Sequence, residues 1–173
     1  LEKCDRDLTL AMKYLYVVAP YSDLVNYSFE TIKDFASHGL FLYQNLERVK
    51  ELPEELFLNY VLDHRVNEEE ILPCRSFFWN ELEKRIAGKK AKDAAIEVNY
   101  WCAEEATYHS GDDRTLPALT VYKRGYGRCG EESVFLVNAL RSVGIPARQV
   151  YVPRWSHCDD NHAWVELWCE GKW

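Results

Sequence analysis

The segment GYGRCGEESVFLVNALRSVGIP, residues 125–146, decides the fold class, because a glycine-rich loop runs directly into a helical pattern. Glu131 and Glu132 fall in the first turn, where acidic side chains interact favourably with the helix dipole. Gly144 and the Ile-Pro pair that follows it end the helix. Nearly every position between these ends is apolar, so the pattern predicts a central and mostly buried helix.

Cys129 stands at the start of this predicted helix, close to Gly127 and Gly130. Free backbone N–H groups at a helix N-terminus stabilise an anion, which favours a thiolate there. The glycines let a substrate approach the sulfur, and the first N–H groups of the helix suit an oxyanion. The position by itself leaves a second interpretation open, in which Cys129 is a small buried structural residue.

Two strands are predicted after the helix, over residues 147–152 and over HAWVELWC, residues 162–169, which alternates along its length. His162 opens the second strand, from which its side chain is expected to reach toward the helix N-terminus. A cysteine at a glycine-flanked helix start and a histidine at a strand start form the arrangement that a Cys–His pair requires. His157 in the intervening polar loop is an alternative base, although we expect it to anchor the loop.

The N-terminal half is predicted to be helical. Apolar spacing, caps and stops predict helices over residues 8–18, 22–39, from 53 onward, 76–87 and 89–108. Their apolar stripes are expected to be core packing. Residues 110–127 contain several glycines and a proline and are predicted to be loop. We expect one continuous domain, with a helical region at residues 1–94 and a core at residues 95–173.

The composition excludes several classes of protein. Of the 173 residues, 47% are hydrophobic and 28% charged, which is typical of a globular domain. A net charge of -7 without a basic stripe argues against nucleic acid, and no apolar run approaches the ~18 residues of a membrane span. If Leu1 is a mature N-terminus, an exported, periplasmic or extracellular location is favoured. The oligomeric state is left open.

A metal site is a competing hypothesis, because several ligand-type residues crowd the C-terminal part. They are Cys129, His157, Cys158, Asp159, Asp160, His162 and Cys169. Their spacing matches no zinc or calcium signature, and none of the six cysteines forms a C-x-x-C pair. We therefore expect no metal and no cofactor.

Three blocks together resemble the core of the transglutaminase-like superfamily: GRCGEES at 127–133, LRSVGIPARQV at 140–150 and NHAWVEL at 161–167. The resemblance covers about residues 95–173. It implies a papain-like α+β fold, in which a nucleophile helix packs on a small antiparallel sheet, and a Cys-His-acid triad. It makes Cys129 the nucleophile and His162 the general base. It also relates Trp101 loosely to an aromatic residue that lines the oxyanion site.

Three further residues are candidates for the same cleft. Gly130 is placed beside the sulfur, where the first helical N–H groups suit an oxyanion. Tyr126 and Trp155 are candidate walls of the cleft, since aromatic side chains supply large contact surfaces.

The third triad residue of the family lies on the strand that follows the histidine strand. Residues 170–172 are predicted to form a tight turn, after which Trp173 begins the returning strand. Antiparallel pairing then places the residue opposite His162 at about position 179. We therefore expect this sequence to be a C-terminally truncated domain that lacks the acid.

The chemistry expected from the resemblance is acyl transfer on a protein or peptide amide through a cysteine thioester. Water as acceptor, as in a peptidase or amidase, is favoured over an amine, which would give cross-linking. Peptide N-glycanases share this core but usually carry cysteine-pair metal motifs that are absent here. A non-catalytic binding or structural module is the alternative, and the presence of both Cys129 and His162 argues against it.

Overall fold

The computed structural model describes residues 5–111 and 114–173, and in these ranges helices dominate. The α-helices are α1 (Arg6–Val18), α2 (Tyr21–Asn26), α3 (Phe29–Asn45), α4 (Glu47–Lys50), α5 (Glu54–Phe57), α6 (Arg75–Ile86), α7 (Ala91–Glu105), α8 (Ala118–Arg124) and α9 (Cys129–Ser142). A π-helical turn covers Leu58–Leu62, and the strands are β1 (Thr107–Tyr108), β2 (Tyr126–Gly127), β3 (Ala147–Val152) and β4 (His162–Leu167). The predicted α+β class is confirmed.

Helix α9 is the centre of the molecule, as its sequence predicts. Helices α6, α7 and α8 and both strands of the β3–β4 hairpin pack around it. Its Phe135 ring joins an aromatic cluster with Phe78, Trp101 and Tyr122, with ring centroids 5.3–6.2 Å apart. Gly144 follows the helix with φ +76°, the left-handed conformation expected of a glycine stop.

Most polar residues of α9 are buried as well, and its Arg141, together with Arg75 of α6, holds the end of the π-helical turn and the loop that follows it. Arg75 and Arg141 donate to main-chain carbonyls within residues 61–65, at 2.9 Å in each case. Asn138 accepts from Arg75 Nε at 2.9 Å and donates to the carbonyl of the preceding helical turn. Burial, followed by the nearby Arg141 charge, lowers the pKa of Arg75 to about 10, so the group stays charged at neutral pH.

The predicted helix over residues 22–39 is wrong in its bounds. The structure divides this region between α2 and α3, and Ser28 caps α3 by accepting from the Thr31 N–H at 3.2 Å. Gly39 does not end the helix but lies buried inside α3. A Cβ at Gly39 would collide with Leu62 Cδ1. The glycine is therefore a point of close packing, and its identity signals contact rather than a stop.

The predicted loop over residues 110–127 is wrong in part. In its described portion it contains α8, which Gly125 ends with φ +71°, and the short strand β2. Strand β2 pairs in parallel with β1, so that Thr107 lies opposite Tyr126. This ladder fixes the chain immediately before Cys129. Residues 112–113 of the predicted loop lie outside the described residues.

Strands β3 and β4 form an antiparallel hairpin in which Ala147 pairs with Leu167 and Val152 pairs with His162. Side chains at paired positions share a face of the ladder. One face covers α9, because Gln149 hydrogen-bonds to that helix and Ala163 is buried. The other face carries alternate residues: Arg148, Val150, Val152, His162, Trp164 and Glu166.

The turn predicted at residues 170–172 is confirmed. Cys169 and Lys172 form an antiparallel bridge, with N–H···O distances of 2.9 and 3.2 Å. Glu170 and Gly171 adopt positive φ values of 53° and 83°, the conformation that a two-residue hairpin turn requires. Trp173 thus enters an antiparallel path beside the end of β4.

One buried cluster contains side chains from α1 and α3, such as Met12 and Phe35, together with those of α9, such as Val134 and Leu140. The boundary expected between residues 94 and 95 stays a prediction. Within residues 5–111 and 114–173, no helix has both the length and the apolar character that a bilayer crossing requires.

Candidate active site

Cys129 is the first residue of α9, and its side chain is half-buried. The strand β2 ends two residues earlier at Gly127, where a Cβ would lie 2.7 Å from Glu131 Cβ. At Gly130, in contrast, a Cβ would meet no heavy atom within 4 Å. The two glycines therefore serve different ends: Gly127 permits a tight approach to the helix, and Gly130 leaves open space beside the sulfur.

A buried carboxylate fixes the entry into α9. Glu131 is fully buried and accepts from the Arg128 backbone N–H at 2.8 Å. It also accepts from Nε and Nη2 of the Arg128 guanidinium, at 2.9 and 2.8 Å. A bidentate pair of this kind is among the stronger polar contacts in proteins. The carboxylate two residues from Cys129 is thereby held and its charge is balanced.

His162 stands at the first position of β4 and is exposed. Its ring centroid lies 6.0 Å from that of Trp155 and 6.1 Å from that of Trp164. Among the described residues no hydrogen bond joins the Cys129 thiol to this ring. Since Ala163 faces α9, strand alternation puts His162 on the opposite face of the ladder. The structure therefore places the predicted pair on two elements that pack together, without a hydrogen bond between the two side chains.

Two of the predicted cleft residues lie at accessible positions. Trp155 is half-buried and belongs to a surface depression of about 480 Å³ that residues 154–159 form. His157 lines the same depression, with its ring 6.0 Å from that of Trp155. Tyr126 is half-buried in β2, and its hydroxyl accepts from Arg124 Nη2 at 2.7 Å. A groove of about 730 Å³ lies between α1, α3 and the π-helical turn, away from these residues.

The structure places Trp101 in the hydrophobic core rather than in a cleft. Its side chain is 1% exposed and stacks on Tyr122, with ring centroids 5.6 Å apart. Trp101 also packs against Phe78 and against Phe135 of α9. The structure thus shows a packing role for Trp101, and the expectation that it lines the oxyanion site stays a prediction.

The remaining described cysteines differ from Cys129 in their surroundings. Burial raises the pKa of Cys74 to about 12 and also raises that of Cys102. Cys158 is exposed and Cys169 half-buried, and none of the five described cysteines is in a disulfide. Cys4 lies outside the described residues. In the described part of the chain no three Cys, His, Asp or Glu side chains form a group that could hold a metal ion.

Sequence reasoning missed a polar connection between α9 and the N-terminal region. Gln149 on β3 contacts the first turn of α9, and its other end meets Asn67. These two side chains are separated by 82 positions in the chain. No local pattern could have paired them, although a lone glutamine on the buried face of a strand is a signal that a partner must exist.

The sequence profile of the transglutaminase-like superfamily matches residues 80–173, which is more than half of the chain. This chain belongs to the transglutaminase-like superfamily. The match includes α9, β3, β4 and most of the helices that surround them. It confirms the family that the three sequence blocks indicate, and it extends the matched region back into α6. No curated protein matches the chain.

Among solved structures, the chain is similar to a protein from Cytophaga hutchinsonii that is described only as a candidate cysteine protease. The two share 19% identity with a TM-score of 0.47. The alignment covers 57% of this chain and 34% of the other one, so this transglutaminase-like chain spans about a third of that protein. Thiol-dependent catalysis in general is in keeping with the superfamily.

Proposed function

We propose that this transglutaminase-like chain catalyses acyl transfer on a protein or peptide amide, with Cys129 as the nucleophile. The observation that carries the proposal is the half-buried thiol at the N-terminus of a buried helix, with open space at Gly130. The unpaired N–H groups of the first turn favour a thiolate and offer donors to an oxyanion. The side chain of Glu131 is already neutralised by Arg128, so it adds little opposing charge.

In the proposed reaction the Cys129 thiolate attacks the amide carbonyl carbon, and the carbonyl oxygen becomes an oxyanion beside the first helical turn. The C–N bond then breaks, the amine leaves with a proton donated by an imidazolium, and a thioester remains. The imidazole takes a proton from the acceptor as the acceptor attacks the thioester. The products are a new acyl compound and the free thiol.

We assign the imidazole to His162. No hydrogen bond to another described residue restrains its ring, and catalytic hydrogen bonds often close only with substrate bound. In the structure the exposed ring lies on the face of the ladder that it shares with Trp164, so the proposal requires it to move toward the sulfur when substrate binds. His157 remains the alternative base, since it lines the depression beside Trp155.

We favour water as the acceptor, because water needs no second binding surface whereas an amine substrate does. Hydrolysis and cross-linking give different products from one thioester. Incubation of the chain with glutamine-containing and other peptides, with and without a fluorescent primary amine, distinguishes them by mass spectrometry. We expect hydrolysed product to exceed amine adduct when the amine is present.

The variants Cys129→Ser and His162→Gln test the assignment. We expect Cys129→Ser to remove the thioester and all turnover, and His162→Gln to lower turnover by about 10²–10⁴-fold. The matched control for the cysteine is Cys158→Ser, which changes an exposed cysteine. His157→Gln tests the alternative base, and a loss of turnover in it but not in His162→Gln would move the assignment to His157. Turnover that survives in Cys129→Ser would reject the nucleophile. A folded wild-type chain that binds peptides but never forms a thioester would favour the non-catalytic binding module.

A further inference from the structure

We infer that Gln149 is a positioning residue for Cys129, held in place by Asn67 of the N-terminal region. This inference rests on the proposed function of Cys129 and deepens it. Gln149 does not reach the reacting atoms. It acts through the main chain of the first turn of α9, the turn that presents both the thiol and the candidate oxyanion donors.

The contacts form one continuous path to the nucleophile. Gln149 Nε2 donates to the Gly130 carbonyl at 3.0 Å and to the Ser133 hydroxyl at 2.7 Å. The Ser133 hydroxyl in turn donates to the carbonyl of Cys129 at 2.5 Å. The two hydrogens of the Gln149 amide are thus both used. Together these bonds fix the carbonyls of the first two residues of the helix.

The first turn of α9 needs such support because its second residue is Gly130. A glycine in a helix is less stable there than an alanine, since its backbone is freer when unfolded. No neighbouring atom would touch a side chain there, so packing does not restrain it either. The glycine that leaves room for a substrate therefore also makes the first turn, which holds the sulfur, less stable. Gln149 restrains that turn from the side of the sheet, and Glu131 restrains it from the side of β2.

Asn67 fixes the other end of the Gln149 amide. Asn67 Nδ2 donates to Gln149 Oε1 at 2.5 Å, which sets the orientation in which Nε2 faces α9. The backbone N–H of Asn67 donates to the buried carboxylate of Glu69 at 2.7 Å, and its carbonyl accepts from Arg65 Nη1 at 2.9 Å. Arg65 is in turn paired with the buried Asp23. The hydrogen-bonded path to Cys129 therefore begins in a cluster of charged, mutually bonded residues of the N-terminal region.

The experiment compares Gln149→Met with Arg148→Met in the full chain. The two residues are adjacent on β3 but face opposite sides, and Arg148 contacts Glu166 rather than α9. The first readout is the rate at which iodoacetamide alkylates each cysteine, from pH 6 to pH 10, by mass spectrometry. The second is backbone amide exchange at Ser133 and Val134, whose helical N–H groups bond to the Cys129 and Gly130 carbonyls, with Leu140 as the internal reference.

For Gln149→Met we expect alkylation of Cys129 at pH 7 to fall by about tenfold, with its pH profile displaced to higher pH. The exposed Cys158 should keep its wild-type rate. Exchange at Ser133 and Val134 should accelerate by about tenfold, with Leu140 unchanged. Arg148→Met should match the wild type in each readout.

The inference is overturned if Gln149→Met leaves the Cys129 rate and pH profile equal to those of Arg148→Met. It is equally overturned if exchange rises uniformly along α9, since that is the result of a merely structural role. If Gln149→Met does not fold, Asn67→Leu provides the test, with the same pattern at about threefold. The proposed function fails on a different result, namely that wild-type Cys129 reacts with iodoacetamide no faster than Cys158. In that case the amide exchange of Gln149→Met still shows whether Gln149 holds the first turn of α9.

Discussion

Protonation of His38 is expected to destabilise the fold as the pH falls below 6.5. The ring is buried on α3, and its Nε2–H donates to the Ser142 carbonyl at the C-terminal end of α9, at 2.8 Å. A carbonyl can only accept, so the added proton must go to Nδ1. That atom faces Ser76 Oγ at 3.5 Å, and the buried Arg75 guanidinium lies nearby. A positive charge there is poorly solvated and repelled.

The size of this destabilisation follows from the difference between the folded and unfolded pKa values of His38. Burial, and to a lesser degree the Arg75 charge, lowers the pKa of His38 from 6.5 to about 4. Because the folded pKa lies below the unfolded one, the stabilisation is complete above pH 6.5 and is lost as the pH falls toward 4. At 1.36 kcal/mol per pKa unit this amounts to about 3 kcal/mol, of which about 2 kcal/mol falls between pH 7 and pH 5.

Urea unfolding at pH 7 and pH 5 measures this loss, with His38→Gln as the comparison. Glutamine keeps a donor for the Ser142 carbonyl but does not titrate. Other groups contribute to the total pH dependence: the pKa of Asp23 is lowered, and those of Asp34 and Glu132 are raised. The difference between the two proteins removes these contributions. We expect the wild type to lose about 2 kcal/mol more than His38→Gln, and parallel pH dependences would refute the reasoning.

Three further predictions concern the site and its supports. Iodoacetamide should label Cys129 about tenfold faster than the exposed Cys158 at pH 7, and a slower reaction at Cys129 would contradict its role. Gly130→Ala should change the free energy of unfolding by no more than about 1 kcal/mol but should reduce turnover. Gly39→Ala should lower the free energy of unfolding by about 1–3 kcal/mol, because the added methyl group overpacks the core. Calorimetry that finds Gly130→Ala the more destabilised variant would contradict the surroundings described for the two glycines. In a longer protein that continues the hairpin, sequencing should find Asp or Glu at about position 179, opposite His162, and an apolar residue there would argue against a triad.

The central part of the fold could be predicted because its signals are local. The glycine loop, the apolar run and Gly144 define α9 within one segment, and the alternation after His162 defines β4. Where a local signal has two physical causes, the prediction was wrong. Glycine is the usual residue at a helix stop, but Gly39 lies inside α3, where the contact with Leu62 leaves no room for a Cβ. Gly125 does end a helix, yet α8 before it is too short to show a clear period.

The site was less predictable than the fold, because its supports are distant in sequence. Glu131 was expected only to interact with the helix dipole, but it is also buried and paired with Arg128. Asn67 and Gln149 meet only because the N-terminal region folds over the start of α9. A pattern of residues also does not predict how a side chain at the end of a strand is oriented. The alternation correctly groups His162 with Trp164, but it does not say which face covers α9.

The buried charge of α9 shows that the leading helices are part of the structure that holds the site. Arg141 Nη1 donates to the carbonyls of Asp63 and Arg65, both of which precede the region that the family profile matches. A fragment of residues 80–173 would lose both bonds, at about 1.5–3 kcal/mol each, from a total stability of only about 5–15 kcal/mol. We therefore expect that fragment to show no cooperative thermal transition by circular dichroism, whereas the full chain shows one. A cooperative transition in the fragment would mean that the core folds without the loop that Arg141 holds.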